Sequence, residues 1–565
     1  MDSLNLVLLL GASLLFVGLA LGSLGARLGV PSLLVFLVVG MVAGVDGAGL
    51  RFNDFETGYL VSNLALAVIL LDGGLRTRLS TFRVGLKPAL GLATLGVALT
   101  AALVGGFATW LMGLDWRLGL LLGGIIGSTD AAAVFNVIQG SGLRLNERVA
   151  STLEIESGLN DPMAIFITVL LVGVITVGGD PLGWATLVTL LKQFGIGAVL
   201  GAASGVLLAL LLVRLRSNEG MHALLLCTAG TTVFALTNSL GGSGFLAVYV
   251  VGLVVGNRGG GVGDNVFRSM DSLAWLAQSG MFLLLGLLVT PSSLGDHALD
   301  GLLIAAFLIF VARPLAVWLC LLPFAFRWRE KLFVAWTGLR GAVPIVLAMF
   351  PLLAGINETR LLFDVTFVVV LASLLFQGTS LGAVSRWLRV ALPATPEPLQ
   401  VVPLSGSDNR YLMQFRIEPG ARALGKPLST VGGEFAQPLL VIRGEQRLTV
   451  SEDTAVVEGD RITWLGPLRE KDHLADLCQT VTPSIKRFYG DFTVRGDVPV
   501  ADLALAYGVS VEPPLPDGLT VAQLFARRIG GLPVAGDILY LGGLRLRVRS
   551  VTAGQVTQVG IRLPR

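Results

Sequence analysis

Three short stretches of this 565-residue chain set charged, amide and hydroxyl side chains among apolar neighbours. The first is Gly127-Ser128-Thr129-Asp130, inside the run LLLGGIIGSTDAAAVFNVIQG. The second gathers Glu154, Glu156, Ser157, Asn160 and Asp161 within STLEIESGLNDPMAIFITVLL. The third places Arg340 within VAWTGLRGAVPIVLAM. On a helix, Glu154, Ser157 and Asp161 are three and four positions apart and line one face. Glu156 and Asn160, also four apart, lie on a neighbouring face. Three carboxylates crowded in a low-dielectric setting cannot all stay ionised unless a cation joins them. The chemistry such a set can do is reversible exchange of a proton for a small cation. The three cysteines and three histidines are scattered, so neither a disulfide framework nor a zinc site is expected. No phosphate-binding glycine loop follows a strand, and no cofactor is expected.

The elements that must position these residues follow from composition. The chain is 53% hydrophobic and 14% charged, against about 25% charged in soluble proteins. That excludes a cytosolic enzyme and a disordered chain. A net charge of +3 is too small for a nucleic-acid footprint. Charge is unevenly spread: 42 charged residues fall in positions 1–390 and 37 in the much shorter 391–565. The proline-rich run 391–403 separates the two, since prolines end helices and favour an extended linker. Upstream, apolar runs follow one another with short breaks, and about thirteen are long enough to cross a bilayer. Alternating loops place sixteen Lys/Arg on one side and three (Arg51, Arg117 and Arg360) on the other. The positive-inside rule then sets the N-terminus outside and the tail in the cytoplasm, which requires an odd number of spans. The first run is read as a span rather than a cleaved leader, because it lacks a basic start and leads straight into another apolar run.

An ionisable residue at membrane depth costs a few kcal/mol on insertion scales, so it is a functional candidate by default. Asp72, Lys192, Arg313 and Asp364 lie nearer the ends of their runs, where snorkelling or an interhelical pair accounts for them. Arg340 is the only basic residue expected at mid-depth, where it can neutralise one carboxylate. Glycine, short polar residues and proline interrupt two runs, at 127–130 and 338–344. Unwound backbone at that depth is tolerated only where protein or a water-filled cavity satisfies it. These runs are the fifth and twelfth, corresponding positions if six-helix units repeat. That is the pattern of an inverted-repeat transporter with a midplane ion site.

Ser128-Thr129-Asp130, the run from Glu156 to Pro162 (ESGLNDP) and Gly338-Leu339-Arg340-Gly341 together resemble the signatures of monovalent cation–proton antiporters of the sodium/proton exchanger (NhaP) type. The resemblance covers essentially all of residues 1–390. It implies an all-α fold of thirteen membrane helices, a dimerisation domain and a mobile six-helix core, and hence a homodimer. It also implies that Asp161 binds either the cation or the proton, with Asp130, Ser157 and the Thr129 carbonyl as further ligands. Asn160 would bond across the helix crossing beside Thr129, and Glu156 would pair with Arg340 and brace the core. Asp72, before Gly73-Gly74, stands where the family often has an acidic residue near the ion path. The role of Glu154 is open. Many relatives have proline after the aspartate at position 130, where this chain has Ala131. The STDAAAVF form and the soluble tail look most like a bacterial potassium/proton antiporter branch, in the inner membrane. With Asn rather than Asp at position 160, exchange of one cytoplasmic K+ (or Na+) for one external proton moves no net charge.

The tail alternates β-rich runs with turn signals over 404–482. This part resembles the C-terminal half of the RCK (TrkA-C) module of potassium transport systems, without its nucleotide-binding half. Residues 487–565 resemble the small α+β domain at the ends of CorC/HlyC-type transporters. Arg545, Arg547 and Arg549 alternate along one strand, which reads as a solvated face in preference to an anion or nucleotide site. Regulation by a small anionic or nucleotide ligand on the tail is expected. A cation channel and a non-transporting membrane sensor are the alternatives. The first is disfavoured by the lack of a TVGYG-like filter, the second by carboxylates and Arg340 at mid-depth.

Overall fold

The computed structural model describes residues 2–565 apart from 28–30, 51, 53, 78, 131–133, 136–137, 139–143, 178–182, 216–218, 259–262, 394–398, 405–409, 432–435, 452–453, 468–469, 480–487, 491, 510–515, 517, 530–531, 553 and 564–565. Ala131 therefore lies outside the described residues. The chain divides into two compact units, Met1–Ala391 and Leu392–Arg565.

The first unit is helical. Among the described residues, eight helices are long and apolar enough to cross a membrane, from Phe55–Arg76 to Thr359–Trp387. Five shorter apolar helices accompany them, including Trp116–Ile126 and Ala342–Leu353, which are short because the backbone unwinds beside them. Of three π-helical turns among the described residues, Leu92–Gly96 and Leu308–Ala312 each sit in the span just before one of those interruptions, and Leu374–Gly378 lies in the last long helix. One set of helices, Phe55–Arg76, Trp184–Arg214, Glu219–Ser239, Gly244–Asn257 and Asp264–Leu288, packs around Leu71, Leu75, Leu212, Leu226, Val251 and Met270. A second set runs from Leu79 to Val177 and from Ala298 to Trp387. Its apolar centre includes Ile125, Ala164, Phe333, Val346, Phe363 and Val369.

Within the first set Gly252 and Gly256, four apart, face the Phe55–Arg76 helix. A Cβ at either would collide with the carbonyl oxygens of Leu71 or Leu75, so only glycine permits this approach. The outer face of Trp184–Arg214 exposes Leu187, Leu191, Val199, Leu207 and Leu210. A helix apolar on both its packed and its outward side suits a lipid surround.

The second unit holds two antiparallel sheets. A five-stranded sheet runs Gln400–Pro403, Tyr411–Arg416, Arg461–Gly466, Gln437–Arg443 and Gln446–Leu448 across its width. It encloses Met413, Phe415, Val441, Ile462 and Trp464 with Cys478 of the Lys471–Cys478 helix. Arg443 holds the buried Asp460 with two bonds of 2.9 Å. A four-stranded sheet runs Phe492–Arg495, Gln555–Arg562, Leu544–Thr552 and Ile538–Leu541. Its inward residues Leu544, Leu546 and Val548 meet Leu524 and Phe525 of the Val521–Arg528 helix. Period-two alternation puts Arg545, Arg547 and Arg549 on the other face. That face is not simply solvated: the Arg547 guanidinium lies 3.8 Å from the Phe488 ring centroid and donates to the Phe488 carbonyl at 2.7 Å.

Candidate functional site

The site is built where the two interruptions cross. Trp116–Ile126 ends at Gly127, and residues 127–130 run on without helical bonding. Trp328–Trp336 ends at Thr337, and helix resumes at Ala342. Such breaks strand carbonyls at one half-helix end and N–H groups at the next. Here they satisfy each other: Asp130 N donates to Leu339 O at 2.8 Å. Arg340 Nη1 donates to Gly127 O at 2.7 Å and Ser128 O at 2.6 Å. Its guanidinium therefore caps the negative end of Trp116–Ile126. Arg340 N donates to Ser373 Oγ, which bonds Gln377, whose amide donates to Trp336 O at 2.8 Å. Asp130 does the converse. A Cβ at Gly341, the N-cap of Ala342–Leu353, would strike its carboxylate, so the acid sits against the positive end of that half-helix.

The Glu147–Val177 helix supplies the other wall. Ser157 Oγ donates to Thr129 O at 3.0 Å, and Asn160 Nδ2 donates to Thr129 Oγ1 at 2.5 Å. Ser128 Oγ donates to Asp161 Oδ1. Asn160, Asp161, Ser128 and Thr129 are all buried. The crossing thus brings Asp130, Thr129, Ser157, Asn160 and Asp161 together from two helices, with oxygen atoms as the only cation donors.

Glu156 departs from expectation. Its carboxylate is 2.7 Å from Arg313, both side chains at most 3% exposed, while Arg340 is spent on backbone carbonyls. The expected Glu156–Arg340 pair is therefore corrected to Glu156–Arg313. Of the two readings open for Arg313, snorkelling or an interhelical pair, the structure shows the pair: Arg313 begins the Arg313–Cys320 segment and packs against Gly338 of the second interruption. A charge in the run 299–323 was the available signal, but sequence does not show which way a side chain points. Ser128 was expected only as part of its motif, without a role, and Ser373 and Gln377 were not singled out; the latter two recur four apart in an apolar run, a mark of a shared helix face.

Asp130, Ser157 and Asp161 line a cavity of 820 Å³ with Leu66, Leu70 and Met281 on its apolar side. Asp72, Arg76 and Asp271 line the same cavity. Arg76 Nε bonds Asp72 at 2.7 Å and its Nη2 bonds Asp271 at 3.0 Å. The Arg76 and Asp271 side chains are 42% and 69% exposed, so the cavity reaches solvent there. Asp72 is buried, with its second oxygen Oδ1 lacking a hydrogen-bond partner. It does not bond any residue of the crossing among the described contacts. No group of three His, Cys, Asp or Glu could hold a metal ion among the described residues; the crossing offers two carboxylates and neutral oxygens, a donor set for a weakly held cation.

Residues 11–387 match the family described as "Sodium/hydrogen exchanger, transmembrane". The chain belongs to the sodium/hydrogen exchanger family. Residues 485–565 of this exchanger also match the "Transporter associated domain". Over its whole length, this exchanger is 44% identical across 571 positions to "K(+)/H(+) antiporter NhaP2" of Shewanella sp. (strain MR-4), covering 99% of that relative. It is 40% identical across 572 positions, again with 100% and 99% coverage, to "K(+)/H(+) antiporter NhaP" of Alkalimonas amylolytica. Among solved structures, the sodium proton antiporter MjNhaP1 from Methanocaldococcus jannaschii at pH 8 superposes with a TM-score of 0.59 at 26% identity. It covers 67% of this chain and 99% of its own. The membrane unit therefore has a cation/proton antiporter fold, and this exchanger is a multi-pass transporter rather than an enzyme.

Proposed function

We propose that this exchanger carries cytoplasmic potassium out against protons brought in, one for one, with Asp161 as the shared site. The observation that carries it is the crossing itself. Asp161 is buried, held by Ser128, and opens to the same solvent-reaching cavity as Asp130 and Ser157. Asp130 is matched to a half-helix end, so its charge belongs to the scaffold while Asp161 alternates between proton and cation. Asn160 in the neighbouring position adds no second exchangeable proton, so a cycle of one H+ against one K+ moves no net charge. Thr129 and Ser157 complete the oxygen set around the ion, and Asp72 stands along its path from the cavity mouth. Potassium is preferred to sodium as substrate because the two relatives that match over their whole length are potassium/proton antiporters by name.

The eight long and five shorter apolar helices support thirteen crossings. Paired π-turns and paired interruptions support two inverted repeats. We place the N-terminus outside and the tail inside, in a bacterial inner membrane, on the loop charges. The cavity mouth at Arg76 then faces the cytoplasm. The tail would comprise a linker at 391–403, an RCK C-terminal-like domain at 404–482 and the transporter-associated domain at 487–565, with a small anion as its ligand. The lipid-suited outer face of Trp184–Arg214 is compatible with a homodimer. Proton flux in everted vesicles on addition of K+, Na+, Li+ or Rb+ tests the reading. Asp161→Asn should abolish the response, and exchange at wild-type rates by that variant would refute it.

A further inference from the structure

Glu154 takes no part in the crossing, yet it lines the same cavity on the same helix as Asp161. Its Oε1 accepts a hydrogen bond of 2.7 Å from Thr77 Oγ1. Thr77 follows directly on Phe55–Arg76, and the next helix opens at Leu79. Thr77 thus begins the short link between one helix of the first set and one of the second. That link is clamped from the first set: Asn257 Nδ2 donates to Thr77 O and Asn257 Oδ1 accepts from Leu79 N, both at 2.7 Å. Tyr249, whose hydroxyl is 3.4 Å from Thr77 Oγ1, packs its ring so closely on Gly158 that a Cβ there would clash. Beside the solvent-reaching mouth at Arg76, the helix that carries Asp161 is therefore tied to the other helix set by the Thr77 hydroxyl as well as by the packing of Tyr249 on Gly158.

Thr77 has one hydroxyl hydrogen, and besides Glu154 Oε1 and the more distant Tyr249 hydroxyl it has an acceptor at 2.9 Å in Gly73 O, one turn back on its own helix. When Glu154 withdraws, the hydrogen turns to Gly73 and no donor is left unsatisfied. A contact with such an alternative breaks and re-forms without stranding a buried polar group. We propose that Thr77 and Glu154 form a reversible latch that holds the cavity open on the Arg76 side. Its release precedes exposure of Asp161 on the opposite face. Both are positioning residues: they act on which face the ion site sees, not on the ion. The inference rests on the alternating exchange proposed above, and extends it to residues outside the ion site.

A contact made in only one of two states shifts their ratio by its own differential energy. For a hydrogen bond to a charged group that is about tenfold in population. The test is a cavity cysteine, Ala274→Cys, in full-length protein whose Cys227, Cys320 and Cys478 are replaced by alanine. Labelling by a membrane-impermeant maleimide is timed in everted and in right-side-out vesicles. Thr77→Val and Glu154→Ala should each slow labelling from the Arg76 side about tenfold. The double variant should fall well short of the product of the two single effects, since both remove the same contact. Thr77→Ser, which keeps the hydroxyl, should restore wild-type labelling and guards against a folding artefact. Unchanged labelling in both single variants, or single effects that multiply, would overturn the latch. Labelling needs no transport, so this outcome is separate from that of Asp161→Asn.

Discussion

At the residue scale, two acids in the membrane unit have been given opposite jobs by what surrounds them. Glu156 is neutralised in place by Arg313. Arg313→Ala strands a buried carboxylate, an imbalance that destabilises by about 3–5 kcal/mol. The thermal unfolding midpoint in detergent should fall markedly for Arg313→Ala and much less for the paired Glu156→Gln/Arg313→Met. Equal losses would deny that pair its bracing role. Asp161 instead keeps only a hydroxyl partner, Ser128, among the described residues. Because proton and cation compete for one carboxylate, exchange rate against pH should be bell-shaped: acid excludes the cation, alkali removes the proton. A flat profile between pH 6 and 9 would contradict single-site competition.

At the scale of elements, the interrupted helices matter because each ends against the charge of the other. Arg340 caps carbonyls of the first interruption while sitting in the second, and Asp130 does the reverse. This exchange needs the two backbones in contact, which Gly341 allows. Gly341→Ala should leave insertion and folding intact but push the Asp130 carboxylate aside. An ångström of misplacement at a reacting centre is worth about a hundredfold, so vesicle exchange should drop by one to two orders of magnitude. Wild-type exchange in Gly341→Ala would show that the crossing tolerates a wider gap than the geometry allows.

At the scale of the whole chain, the tail folds around its own cores and the membrane unit around others. Removing residues 400–565 should therefore leave exchange in vesicles and alter only its dependence on conditions. Loss of all exchange in correctly inserted protein would make the tail structural. Burial pushes the Cys478 thiol up to about 12, so at neutral pH it carries about a thousandfold less thiolate than an ordinary cysteine. Maleimide should modify it only after denaturant opens the tail, and rapid labelling of the native protein would mean this core is open.

Much of this was written in the sequence, because the penalty for a charge among apolar residues is a local property. Asp130, Glu156, Asp161 and Arg340 stand out by neighbourhood alone, as do the glycines and proline that unwind the backbone. The same local logic separated a charge-poor membrane unit from a charge-rich tail. Pairing was not legible. For Arg313, snorkelling and an interhelical pair both stayed open, because position along an apolar run reports depth and not direction. Whether a guanidinium meets Glu156 or a bare carbonyl depends on which helices cross. Glu154 stayed without a role for the same reason, as its partner Thr77 sits in a link with no motif of its own. Sequence determined which side chains are costly to bury and therefore have work to do. Only the tertiary structure decided their partners, because hydrogen bonds and ion pairs act over a few ångströms between segments far apart in the chain.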